Sequence, residues 1–326
     1  MNRFKKTVSL LVIFLLCALS LIGCQSKKTM FDVMKEAQEI TSAKVNMNLT
    51  MEVPNSEDFK KIGVTISGTG SEKAAAFDLD VTVDELSYSL KDFIRMVDNQ
   101  MYLNFASIFK ISGMSASDLG MKNWISVPNT GLNDESIKSS KTLSSSVLAG
   151  FEVACKDQKI TQDGDTYTLT IPKDKLVSFA QAVLDVVNSN IDSWYDQYVD
   201  VLEKSDVDSL FKISGEENPL SDLKKNKKEN LETWKKMYDE LSKELKEGKI
   251  DSDIDSAITY SIKMTGKEGS RVVDQSIEAN VKDANESAKI KFTSKSEETT
   301  DIKVEAPNKD DVMSIEELNN LFNEDY

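Results

Sequence analysis

Histidine is absent from all 326 residues. The commonest general base near neutral pH and the commonest zinc ligand are therefore missing, and Ser-His-Asp and Cys-His nucleophilic machinery is excluded outright. Proline occurs five times and glycine 13 times, and no stretch rich in either divides the chain, so one continuous domain is expected rather than two joined by a linker. No glycine-rich phosphate loop is present. Cysteine is limited to Cys17, Cys24 and Cys155. Positive charge is in deficit, 40 basic residues against 55 acidic ones, for a net charge of −15. A chain this acidic is a poor partner for nucleic acid or for lying flat on anionic lipid. Most acids alternate with lysine, as in Lys243, Glu244, Lys246 and Glu247, which describes a solvated face and not a binding tract.

The one long apolar run stands at the start. Arg3, Lys5 and Lys6 precede a nearly uninterrupted apolar segment from Val8 to Ile22. A basic start, an apolar core and small residues at the end are the parts of a secretory signal. The run is shorter than the roughly 20 residues of a spanning helix. It ends in Leu21-Ile22-Gly23-Cys24, which resembles the lipobox of bacterial lipoproteins. The resemblance implies a signal peptide over 1–23, cleavage before Cys24, and a diacylglyceryl group on the Cys24 sulfur, with palmitate among its chains. It also implies a cell-membrane protein anchored on the extracytoplasmic face. Cleavage would remove three positive charges and take the net charge from −15 to −18. Residues 24–29 would be the lipidated tether; the five from Gln25 to Thr29 reach roughly 17 Å at about 3.3 Å each, holding the body close to the bilayer. Cys155 would then have no partner for a disulfide, and its apolar setting, Phe151-Glu152-Val153-Ala154, marks it as a buried small hydrophobe.

Beyond the tether, Thr29 and Asp32 have capping-box spacing before Met30, Phe31, Met34, Ala37 and Ile40, a short amphipathic helix reaching about Thr41. Strict alternation follows: Val45, Met47, Leu49, Met51 and Val53 against Lys44, Asn46, Asn48, Thr50 and Glu52. The same period of two recurs at Ile62–Ile66, Phe77–Val83, Leu86–Leu90, Ile94–Val97, Met101–Phe105 and Trp124–Val127. Such alternation predicts antiparallel strands with one dry face and one wet face. A helix is expected over 134–156 and a strand over Tyr167–Ile171. A helical insert is expected over about 174–248, its two long helices starting near Asp174 and Leu220. Strands return at Ile258–Met264, Ile277–Val281, Ala288–Phe292 and Ile302–Val304, with Gln275 interrupting an inward set. Ser314-x-x-Glu317 caps a terminal helix.

Positive chemical signals are few. Ser107/Lys110, Ser209/Lys212 and Ser221/Lys224 match Ser-x-x-Lys, but no Lys-Thr-Gly or Ser-Asp-Asn accompanies them. Asp251-x-Asp253-x-Asp255 opens like a calcium loop, yet Ser256 replaces the required glycine and Ile262 the bidentate glutamate. No catalytic residue, metal site or cofactor is therefore expected.

The order of elements, with Ala37–Val53 as helix into strand, Tyr167-Thr168-Leu169-Thr170-Ile171-Pro172 running into a helix, and the Val304-Glu305-Ala306-Pro307 ending, resembles the LolA/LppX-like lipoproteins and the LolA-like lipoproteins of Gram-positive bacteria. The resemblance implies an α+β fold over 30–326, a curved antiparallel half-barrel with helices on its concave side and a lipid or other apolar ligand between. On that reading Met47, Met51, Phe77, Met96, Met101, Tyr102, Tyr260 and Met264 would face the ligand, methionine suiting an adaptable apolar wall. The expectation is a non-enzymatic, membrane-anchored lipid-binding or carrier protein. The alternative is a structural or protein-interaction module of the cell envelope with a solid core.

Overall fold

Twelve strands form a single curved, unclosed sheet in the order β12-β6-β5-β4-β3-β2-β1-β11-β10-β9-β8-β7. The computed structural model describes residues 29–56, 59–97, 100–128, 134–205, 219–247, 255–282 and 287–323. Cys24, the apolar run before it, and the Asp251 and Asp253 pair lie outside the described residues. The central strands are β1 (Ser42–Glu52), β2 (Lys61–Ser71), β3 (Ala74–Val83) and β4 (Leu86–Val97). One side continues through β5 (Gln100–Asn104) and β6 (Trp124–Pro128) to β12 (Val312–Ser314). The other runs through β11 (Ser287–Glu298), β10 (Val272–Lys282), β9 (Asp255–Thr265) and β8 (Thr166–Ile171) to β7 (Ile160–Asp163). The architecture is the expected α+β half-barrel.

Every pairing is antiparallel except β12 on β6, so the sheet is mixed. The exception follows from the path of the chain after β11. Ile302 and Val304 alternate like a strand but form none. Instead, Arg95 donates to the Glu305 carbonyl at 2.9 Å and Asn123 to the Asp311 carboxylate at 3.2 Å. The segment is thereby carried across to the far edge, where β12 runs alongside β6.

Seven α-helices are described. Helix α1 (Met30–Ala37) starts in the anticipated capping box: Asp32 N–H donates to Thr29 Oγ1 at 3.2 Å, and Thr29 N–H to Asp32 Oδ2 at 2.8 Å. Met30, Phe31, Val33, Met34 and Ala37 are buried on its inner side. Helices α3 (Asp134–Ala154) and α4 (Lys173–Lys204) pack beside it. Phe31, Phe151 and Phe179 meet edge to face at 6.1 and 6.3 Å, tying the three helices together. Helix α4 starts after Pro172, with Asp174 in its first turn and not at the cap. The second insert helix breaks at Asn226 into α5 (Pro219–Lys225) and α6 (Lys227–Lys246). These pack on α4 around Ile191, Tyr195 and Leu231, and the Tyr195 hydroxyl donates to the Leu223 carbonyl at 2.7 Å. The remaining helices, α2 (Phe105–Ile111) and α7 (Ile315–Asn323), lie at the other end of the sheet, against β4, β6 and β12.

Two cores result. The larger joins α1, α3 and α4 to the inward side chains of β8, β9, β10 and β11, among them Leu169, Ile171, Ile262 and Ile277. Cys155 lies inside it, 2 % exposed, and burial pushes its thiol well above the usual range. The smaller core gathers Met121, Ile125, Val127 and Met313 under α2 and α7.

Candidate functional site

The helices cover the concave face at both ends and leave its middle open. The pairing register sets the inward residues in rows. Met47 is opposite Ile66, Leu49 opposite Val64 and Met51 opposite Ile62. The rows continue on β3 with Leu79, Val81 and Val83, and on β4 with Leu90, Tyr88 and Leu86. These twelve apolar side chains share one face, because side chains two apart along a strand point the same way. In the covered half, Leu169, Ile171 and Ile262 are at most 1 % exposed. On the open strip Leu49 is 39 % exposed, Ile66 37 %, Tyr88 36 % and Leu86 59 %. Four strands about 4.8 Å apart make a strip roughly 15–20 Å wide. Contiguous exposed apolar surface of this kind marks a ligand groove or a docking surface.

The convex side of the sheet is polar and laced with ion pairs. Lys91 meets Asp78 and Asp80 at 3.3 Å, and Lys291 meets Glu278 at 2.5 Å. The Ser89 hydroxyl and then Lys91 hold the Asp80 carboxyl below its ordinary value. The sheet is thus amphipathic, with an unfilled apolar side.

The anticipated ligand-facing residues divide four ways. Met47 and Met51 are half-buried at the junction of the open strip and the larger core. Phe77 and Met96 also face inward, Phe77 opposite Gly68 and Met96 opposite Ala75 and Met101. Gly68 is needed there: a Cβ would come within 2.0 Å of the Ala76 carbonyl oxygen and 2.7 Å of the Phe77 ring. Met101 faces inward but packs against the smaller core under α2 and α7. Tyr260 and Met264, 1 % and 9 % exposed, belong to the larger core beneath the helices; they are packing residues and do not line the strip. Tyr102 lies on the opposite face. It pairs with Arg95 and Ser126, while its neighbour Met101 pairs with Met96 and Val127. Consecutive residues of a strand cannot share a face. On that convex side Arg95 sits over the Trp124 ring at 4.9 Å.

The buried Tyr260 hydroxyl has no hydrogen-bond partner among the described residues, and burial pushes its ionisation far above the ordinary range. It is a neutral packing group. The strip's most exposed members, Leu49, Ile66, Leu86 and Tyr88, were not singled out from sequence as ligand-facing. Their signal was present in the strand alternation, but alternation gives the face and not the cover.

A cleft of about 350 Å³ adjoins the strip on the α1 side, where Ala37, Ile40, Ile137 and Lys141 overhang Val45, Gly70, Val273, Gln275 and Ser296. Among the described residues, no three His, Cys, Asp or Glu side chains gather to hold a metal ion. No helix there is long and apolar enough to cross a membrane. No family model matches the chain, and no characterised protein is similar to it in sequence.

Proposed function

We propose that the protein is a lipid-anchored, extracytoplasmic lipoprotein that binds or carries a lipid or other apolar ligand on the concave face of its sheet. The observation that supports this reading is the open apolar strip over β1–β4. An acyl chain laid along it would bury Leu49, Ile66, Leu86 and Tyr88. Each Å² of apolar surface removed from water contributes about 25 cal/mol. The LolA/LppX-like resemblance and the lipobox-like Leu21–Cys24 point the same way. Two acyl chains on Cys24, at about 0.8 kcal/mol per buried CH₂, would hold the protein stably at the bilayer.

Two measurements test the reading. Native mass spectrometry of the protein purified from its own membranes is expected to show a retained lipid, and the emptied protein is expected to take up the apolar fluorophore N-phenylnaphthylamine. A protein that is empty on isolation and refuses the fluorophore would sink the carrier role. Separately, Cys24→Ala is expected to abolish labelling by radioactive palmitate and to move the protein from the membrane to the soluble fraction. Label that persists in the variant refutes the anchor.

One observation favours a second reading, a non-catalytic interaction module. A surface groove of about 520 Å³ runs between α3 and α4, lined by Val153, Val186 and Trp194, with Val153 57 % exposed. Loss of a defined protein partner on Val153→Asp, in a protein that binds no lipid, would select it.

A further inference from the structure

The inward positions of β1, β10 and β11 are mostly apolar, and their polar exceptions are clustered: the Arg271–Glu298 ion pair, Gln275 on β10, and Ser294 and Ser296 on β11. Gln275 pairs with Ser294, Ser294 with Met47, and Ser296 with Val45 and Val273. The three side chains therefore form one patch at the border of the open strip. All three are half-buried, and none makes a side-chain hydrogen bond within the described residues. Their polar atoms are not sealed from solvent, so a ligand that covers them must supply hydrogen-bond partners in place of water. Gln275 and Ser296 line the 350 Å³ cleft under α1 and α3. At its rim Lys141 is bonded to Glu72 at 2.7 Å, so the rim carries one charge of each sign.

From this arrangement we infer that the Gln275–Ser294–Ser296 patch receives the headgroup of a glycerolipid of zero net charge, with its acyl chains on the strip. The inference rests on the carrier reading and deepens it. A primary amide and two hydroxyls each donate and accept, which matches ester and hydroxyl oxygens. The balanced Lys141–Glu72 pair offers no surplus positive charge to an anionic headgroup, and the net charge of −15 opposes one. Met47, opposite Ser294, is the first apolar side chain beyond the patch, so headgroup and chain sites are continuous.

The test incubates the emptied full-length protein with vesicles of equal parts dioleoylglycerol, dioleoylphosphatidylcholine and dioleoylphosphatidylglycerol, then reads retained lipid by native mass spectrometry. The two net-neutral lipids are expected to be enriched about tenfold over the anionic one, the scale of one or two hydrogen bonds. In Gln275→Leu/Ser296→Ala, which removes the polar atoms without adding bulk, retention of the two net-neutral lipids is expected to fall about tenfold. A thermal melt with a transition matching the parent's reports that the variant is folded. Equal or greater retention of the anionic lipid by the parent overturns the headgroup assignment, as does a variant that retains the net-neutral lipids as the parent does. Failure of the parent to bind either the lipids or the fluorophore overturns the carrier reading and this inference with it.

Discussion

Replacing Leu49 and Ile66 together by aspartate is expected to abolish lipid binding in a protein that still folds. The two side chains are 39 % and 37 % exposed and stand in adjacent rows of the strip, Leu49 opposite Val64 and Ile66 opposite Met47. In the unliganded protein a carboxylate at either position remains solvated, so the loss of stability should be modest. Under an acyl chain the same carboxylate would have to give up water with no partner, at a cost of several kcal/mol. Each 1.4 kcal/mol is a factor of ten in affinity, so a fall of at least about 100-fold is expected. A fluorophore titration and a thermal melt on the same sample measure both quantities. Ile262→Asp is the contrasting variant. Ile262 faces the same side of the same sheet but is fully buried under the helices, so that variant is expected to unfold. If the double variant binds as the parent does, the strip is not the site.

That contrast also marks where sequence patterning stops being informative. Met47 and Met264 occupy the same kind of position, an inward methionine in a clean period-two strand. One is half-buried beside an open strip and the other is 9 % exposed beneath helices. Alternation reports which way a side chain points; what lies above it is a long-range property, set here by α1, α3 and α4 packing toward β8–β11 and by α2 and α7 toward β6 and β12. Tyr102 fails for a simpler reason: in Met101-Tyr102-Leu103 every residue is apolar or aromatic, so composition does not tell the inward positions from the outward one. The strand expected over Met101–Phe105 ends one residue early, because Phe105 opens a helix where the Asn104 side chain accepts from Ser107 N–H at 3.2 Å. The strand at Ile302 and Val304 errs in the other direction, since alternation without a neighbouring edge to pair with makes no strand. In β4, two stretches read separately are one strand carrying an irregularity, where Phe77 and Leu79 face Ile94 and Leu90. Asp92 has φ of 51° there, and its N–H donates to Asp78 at 2.6 Å. Gln275, by contrast, was legible as an interruption of its own pattern, and the structure gives that interruption company in Ser294 and Ser296.

The Arg271–Glu298 pair is expected to be the most acid-sensitive support of the fold. The two side chains are 6 % and 11 % exposed and meet at 2.6 Å, with a second contact at 2.8 Å. Glu298 also accepts from the backbone of Gly269 at 2.8 Å and of Arg271 at 3.1 Å, and Arg271 donates to the Glu36 carbonyl at 3.1 Å. The pair thus fastens the turn between β9 and β10 to the end of β11 and to α1. The Arg271 guanidinium, helped by those backbone donors, holds the Glu298 carboxyl down to about 2 from an ordinary value of 4.5. Above about pH 4.5 the carboxylate is ionised in both folded and unfolded chains, and its contribution is present in full. As pH falls from there toward 2, the unfolded chain takes up the proton first, and about 3 kcal/mol of stability drains away at 1.36 kcal/mol per unit. Glu298→Gln should remove that dependence. Denaturant melts from pH 6 to 2.5 are expected to show the parent losing stability more steeply than the variant, and equal slopes would refute the assignment. At pH 7 the variant should be weaker by about 3 kcal/mol, because the buried guanidinium keeps only the Glu36 carbonyl and the more distant Glu39 carboxylate at 3.9 Å. Arg271→Met/Glu298→Leu, which replaces both charges by apolar groups, should recover most of that loss, since the cost lies in the unpaired charge and not in the absence of a bridge.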